Sequence, residues 1–217
     1  MSSRDPTSRD GAAAGCCVNV GCGARPTAGW INFDSSPTVV LAKLVPPAML
    51  GHRGEFASII REHGVRWSNA KRLPLRDGVA RAFYSAHMLE HMTRPDALRV
   101  LAEAHRVLRS GGVVRISVPD LEAFVRAYLE MRDGDWFMRE SLFETTAPTL
   151  LGRLRALVFG PLGHVWLYDE TSLKRLLTEA GFLDPARVAP GETRIVEPGT
   201  LDLFERQDGF CMEAVRP

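Results

Sequence analysis

VNVGCGARPTAGWINFD, residues 18–34, decides the fold of this chain. Cys17 to Val20 reads as a short apolar strand that runs into Gly21, Cys22 and Gly23, and Ile31 to Phe33 reads as a second strand ending at Asp34. A strand that turns through glycines lets the backbone come close to a ligand at the carboxyl edge of a parallel sheet, where such folds bind nucleotides. A carboxylate at the end of the next strand can accept hydrogen bonds from both hydroxyls of an adenosine ribose. Each half occurs in ordinary strand-turn junctions, and the pair is worth more than either. Asp34 follows Gly21 by only 13 positions, against about 20 in the dinucleotide fingerprint. A parallel crossover normally needs a dozen or more residues including a helix, so the first helix must shrink to a turn or vanish.

Outward from this stretch, strands and helices alternate, the mark of a parallel sheet covered on both faces. Further strands are expected at Val65 to Trp67, Val79 to Ser85, Val113 to Val118 after Gly111-Gly112, Ala186 to Ala189, and Phe210 to Val215. In the last, Phe210, Met212 and Ala214 alternate with Cys211, Glu213 and Val215. Thr93, with Asp96 three residues on and Pro95 between, resembles a capping box opening a helix that ends at Gly111. Its core stripe is Ala97, Val100, Leu101, Ala104, Val107 and Leu108. Asp120 caps a second helix with the stripe Leu121, Phe124, Val125, Tyr128 and Leu129. Asp169 caps a third, carrying Leu173, Leu176, Leu177 and Ala180 and ended by Gly181.

With 217 residues, 45% hydrophobic and 24% charged, the chain suffices for one well-buried core without a second domain. Residues 1–14, a mixture of Ser, Arg, Asp, Gly and Ala, read as a disordered N-terminal tail, leaving 15–217 as the domain. A formal net charge of +1, with basic residues spread along the chain, gives no ground for a nucleic-acid or anionic-membrane partner. Arginine supplies 24 of the 27 basic residues, a skew that fits GC-rich coding better than phosphate recognition. Cys16, Cys17, Cys22 and Cys211 make neither a metal spacing nor a disulfide framework, so a cytoplasmic location is expected. No run reaches the roughly 18 apolar residues of a membrane span.

The stretches VNVGCGARPTAGWINFD (18–34), NAKRLPLRDG (69–78), FYSAHMLEHM (83–92), LRSGGVVRISVPDLEAF (108–124), HVWLYDETSLKRLLTEAGF (164–182) and GFCMEAV (209–215) together resemble the class I S-adenosylmethionine-dependent methyltransferases. Within them they resemble the small type 11-like group, often associated with sugar, polysaccharide or secondary-metabolite pathways. The resemblance implies an α/β, single-domain Rossmann-like fold with a mostly parallel seven-stranded sheet and an antiparallel last strand. It implies S-adenosyl-L-methionine as cofactor. Gly21, Cys22 and Gly23 would line its methionine and ribose, Asp34 would hold the ribose hydroxyls, and Asn69 with Ala70 would face the adenine. Ser85, Ala86 and His87 would lie under the sulfonium and beside the acceptor. Asn19 stands where the family usually has an acidic residue, and Asn69 where it usually has aspartate. An amide oxygen can still accept one hydrogen bond from the adenine amine, without charge assistance.

Methyl transfer asks the protein to align a nucleophile, exclude water and, where needed, remove a proton. His87 is the first candidate base and His164 the second, near Trp166 and Tyr168; the alternative for either is a structural hydrogen-bond donor. His87, Glu90 and His91 form an H-x-x-E-H run that invites a metal reading with His164 as a further ligand. The same string is common in methyltransferases without an ion, so no metal is expected and Glu90 and His91 are read as capping and anchoring a helix. Residues 35–64 and 132–163 fall outside the expected sheet. They are read as lid or substrate-binding insertions, with a homodimer contact or outer-layer packing as the alternative. The expected activity is methyl transfer to an oxygen or nitrogen of a small or medium acceptor such as a sugar, glycoside or natural product. A non-catalytic cofactor-binding relative is the main alternative, and a zinc hydrolase a distant one.

Overall fold

The computed structural model describes residues 15–141, 163–204 and 209–217. The tail expected at residues 1–14 and most of the stretch 132–163 lie outside the described residues. Seven strands form one sheet in the order β3-β2-β1-β4-β5-β7-β6. They are β1 (Cys16–Val20), β2 (Ile31–Asp34), β3 (Arg66–Trp67), β4 (Ala80–Ala86), β5 (Leu108–Pro119), β6 (Leu183–Val188) and β7 (Gly209–Val215). β1 to β5 are parallel, while β7 runs antiparallel between β5 and β6. This is the Rossmann-like methyltransferase architecture that the resemblance implied. The order reverses beside β1 and β4, so their carboxyl ends open the crevice where such sheets bind ligands.

β1 reaches β2 without a helix. Three side chains take over the bonding that a helix would have provided. Asn19 Nδ2 donates to Arg25 O at 3.3 Å and to Thr27 Oγ1 at 3.1 Å. Asn32 Oδ1 accepts from Thr27 N at 2.8 Å, and its Nδ2 reaches Thr27 O and Trp30 O, both at 3.0 Å. Asn19, Thr27 and Asn32 are all buried, where polar groups must find partners inside the protein.

The main core lies between the sheet and α3 (Arg94–Val107) and α6 (Glu170–Glu179). Ala97, Val100, Leu101, Ala104 and Val107 pack with Leu173, Leu176 and Leu177 against Val18, Phe83, Val114, Ile116 and Met212. Residues 35–64 form the crossover from β2 to β3, with α1 (Pro37–Leu44), a 3-10 turn over Pro47–Arg53 and α2 (Gly54–Glu62). Their buried face, Val39, Ala42, Ala57 and Ile60, closes over Cys22 and Val65.

Several sequence expectations need correction. α3 stops at Val107 and β5 begins at Leu108, ahead of Gly111. Ala80 pairs with Leu108 while Ala82 pairs with Val113, so residues 109–112 are accommodated as a bulge rather than as a helix end. Thr93 caps α3 on one side only, accepting from Asp96 N at 3.4 Å. The reciprocal capping box sits at Asp169 and Ser172 instead. In α4 (Leu121–Met131) only Phe124 of the expected stripe is buried. Val125 and Leu129 stay exposed, and Tyr128 turns edge-on to Phe137 of α5 (Gly134–Glu140), with ring centres 5.7 Å apart. β7 is buried on both faces from Phe210 to Ala214. The odd residue is accommodated because Glu213 accepts from Arg115 Nη1 at 2.8 Å, Thr193 Oγ1 at 2.6 Å and Arg194 N at 2.7 Å.

Candidate functional site

The cradle starts where β1 ends. Gly21 has φ +72° and Gly23 φ +50°, the left-handed region that glycine enters at no steric cost. A β-carbon on Gly21 would lie 2.5 Å from Met88 Sδ, so the turn from β4 presses directly on the turn from β1. A β-carbon on Gly23 would meet nothing within 4 Å. Gly23 therefore offers bare main chain to open space.

Asp34 closes the other side. Its Oδ2 accepts from Gly23 N at 2.9 Å and its Oδ1 from Ser36 N at 2.7 Å. Each carboxylate oxygen can accept two hydrogen bonds, so both keep capacity for a ligand hydroxyl. Cys22 points away into the α1–α2 cluster, and burial pushes its thiol up to about 12, with the Asp34 charge adding to the effect. Only its main chain therefore borders the glycine turn. Asn69 is exposed and its Oδ1 accepts from Lys71 N at 3.0 Å, which bends the chain so that Ala70 tucks in.

β4 delivers the remaining expected residues. Ser85 is fully buried, and among the described residues its hydroxyl has no hydrogen-bond partner. Ala86 is half-buried. His87 follows at φ +49°, donates its backbone N–H to Ser117 O at 3.0 Å, and sets Nδ1 3.3 Å from Glu90 Oε1. A histidine in the left-handed region is uncommon and marks a position held by its surroundings.

His164 belongs to a buried group around Glu90. Leu89–His91 is a 3-10 turn, with Thr93 capping the helix beyond it, so Glu90 and His91 do not cap a helix as the sequence suggested. Glu90 is fully buried, with its main-chain carbonyl accepting from Val165 N at 2.7 Å and Trp166 N at 3.1 Å. His164 Nε2 lies 4.0 Å from Glu90 Oε1, and the rings of His91 and His164 are 5.1 Å apart. Burial lowers the His164 pKa below the ordinary histidine value, opposed by the Glu90 charge. Tyr168 is pushed up to about 12 by burial and then by Glu90.

A separate hollow of about 590 Å³ lies at the amino ends of β1 and β2, lined by Cys16, Cys17, Trp30, His63 and Arg81 among others. Burial raises both cysteine thiols, which makes them poor nucleophiles at neutral pH. The hollow is at the wrong end of the strands for the chemistry above.

Sequence reasoning missed Thr27 and Asn32, which shape the cradle from beneath, and Met88, which braces Gly21. The first two could have been suspected, since a crossover too short for a helix must satisfy its backbone by other means. Nothing local marks Met88.

Three known proteins frame this geometry. The chain is similar to a SAM-dependent methyltransferase from Thermotoga maritima, at 18% identity and a TM-score of 0.52, over 94% of this chain and 82% of that one. It is similar to a SAM-dependent methyltransferase from Methanosarcina mazei, at 16% identity and a TM-score of 0.51, over 93% and 92%. It is also similar to the PH0226 protein from Pyrococcus horikoshii, at 12% identity and a TM-score of 0.51, over 94% and 82%. At such identities the likeness is one of fold. No curated protein matches the chain at a significant level. Residues 18–116, from the glycine turn through the core of β5, match the model of a methyltransferase domain, the type 11 family. Family model and sheet order agree: residues 18–116 match the methyltransferase domain, and the sheet they begin has the Rossmann-like methyltransferase order.

Proposed function

We propose that this enzyme methylates an oxygen or nitrogen of a small or medium acceptor of the sugar, glycoside or natural-product kind, with His87 receiving the acceptor's proton. The observation that carries this reading is the His87–Glu90 contact at the carboxyl end of β4. A half-buried imidazole there sets Nδ1 3.3 Å from an oxygen of a fully buried carboxylate.

The cradle residues suit S-adenosylmethionine. The open space at Gly23 admits close approach to the main chain, and Asp34 retains acceptor capacity for ribose hydroxyls. Gly21, Cys22 and Gly23 would hold the methionine and ribose, Asn69 and Ala70 the adenine, and Ser85 and Ala86 the sulfonium side. When bound, the cofactor supplies a methyl group already activated on a sulfonium, so the protein's task is alignment, water exclusion and proton removal. With Nδ1 turned to Glu90, His87 can present Nε2 to an acceptor O–H or N–H, directing a lone pair at the methyl carbon. Ser141 and Gly163, which border residues 142–162, lie against the rings of His164 and His91. Among the described residues no helix is long and apolar enough to cross a membrane, which fits an acceptor that arrives from water.

Purified enzyme incubated with the methyl donor and a panel of hydroxylated and aminated acceptors should form S-adenosylhomocysteine with at least one class. His87→Ala should lower kcat on it by roughly 10²–10⁴-fold with unchanged affinity for S-adenosylhomocysteine. An unchanged kcat would remove His87 from the chemistry.

A further inference from the structure

We propose that Glu90, His91 and His164 form a binding site for one divalent transition-metal ion, held by two imidazoles and a carboxylate. One ligand atom from each residue lies within 4.8 Å of the other two. The main chain holds them together, because Val165 and Trp166 both donate to the Glu90 carbonyl and so pin the 164–168 segment onto the Leu89–His91 turn. This site stands on those three residues and does not depend on the acceptor proposed above.

Glu90 is the strongest pointer. Its side chain is fully buried, and among the described residues neither oxygen has a hydrogen-bond partner. His87 Nδ1 lies 3.3 Å and His164 Nε2 4.0 Å from its Oε1. A buried carboxylate costs heavily unless it is hydrogen-bonded, ion-paired or bound to a metal.

The histidines are set as ligands would be. His91 Nδ1 lies 3.2 Å from Gly163 O, and His164 Nδ1 lies 2.7 Å from Ser141 O. A carbonyl oxygen only accepts, so each Nδ1 carries the proton and each Nε2 keeps its lone pair. Fixing the far ring nitrogen on a carbonyl is the outer-shell arrangement of metal-bound histidine. The 4.0 Å gap between His164 Nε2 and Glu90 Oε1 is too wide for a hydrogen bond. An ion with bonds of about 2.0–2.2 Å to each would bridge it. Two imidazoles and one carboxylate select zinc, cobalt, iron or nickel over magnesium or calcium, which prefer oxygen alone. Ser141 and Gly163 border the stretch 142–162. The ion would thereby tie both flanks of that stretch to the turn after β4.

The test strips the purified full-length chain with a chelator, then titrates it with Zn²⁺ and Co²⁺ by calorimetry and visible absorption. One equivalent per chain is expected, with a Co²⁺ spectrum of nitrogen and oxygen ligation and no thiolate charge-transfer band. Glu90→Gln and His91→Gln should each weaken binding by at least about 100-fold, beyond the 10–100-fold typical of losing an outer-shell partner. His105→Ala should leave it unchanged. Absence of stoichiometric binding, a thiolate spectrum, or full affinity in both variants would overturn the site. If a variant does not fold, judged by circular dichroism, the Co²⁺ spectrum of the unaltered chain decides. S-adenosylhomocysteine binding to the stripped protein, measured in parallel, reports on the cofactor cradle separately.

Discussion

The Gly23 amide meets the Asp34 carboxylate at 2.9 Å, locking the turn after β1 to the end of β2. One carboxylate thus shapes the turn, and in the proposed function it also holds the ribose. Asp34→Ala should weaken S-adenosylhomocysteine binding roughly ten- to more than a hundred-fold, the equivalent of a charged hydrogen bond worth about 1.5–3 kcal/mol. Calorimetric titration checks this, and retained affinity would displace the ribose from Asp34.

Gly21 and Gly23 should respond differently to alanine. At Gly21 the new methyl collides with Met88 as well as entering the left-handed region, so the whole fold should lose stability by more than the ~1–2 kcal/mol of backbone strain alone. At Gly23 the methyl meets no protein atom. Denaturation midpoints there should fall only by the strain, while cofactor affinity should drop further because the methyl occupies the ligand's approach. Equal effects at both positions would contradict this division.

An acidic residue at position 19 should harm this chain. Asn19→Asp removes the two donors that reach Arg25 O and Thr27 Oγ1, and turns a carboxylate toward a carbonyl. A buried group left unsatisfied costs about 1–3 kcal/mol. Urea denaturation should show that loss, and an unchanged or raised midpoint would refute the assigned role.

Asp169 gives a pH signature. The Ser172 backbone N–H and hydroxyl hold its carboxyl below the ordinary aspartate value. Its folded pKa is depressed, so the cap stabilises the protein above the unfolded value of about 3.9 and loses its effect as pH falls through the folded value. Asp169→Ala should cost about 0.5–2 kcal/mol at neutral pH. The two proteins should converge in stability in strong acid, as followed by thermal melts across pH.

Much of this was legible in the chain. The strand-turn-strand of residues 18–34, the missing first helix and the caps at Thr93, Asp120 and Asp169 rest on local chemistry, and local chemistry is visible in sequence. The true start of β5 was hidden because Leu108–Gly112 reads equally as a helix terminus; only its pairing with Ala80 reveals a bulge. The α4 stripe misled because amphipathic spacing says which residues share a face, not whether anything covers it. The surroundings of Glu90 depend on a segment more than 70 residues downstream. H-x-x-E-H alone could not show that carbonyls would fix two of its neighbourhood's rings.

The side-chain knot beneath the first crossover also bears on how this lineage can change. A helix spreads its cohesion over many interchangeable positions, whereas here Asn19, Thr27 and Asn32 share it among three. Altering one alone strands a polar group of another, so their mutational effects should be strongly non-additive. Such a trio can be rebuilt only in concert, and its members should be inherited as a block.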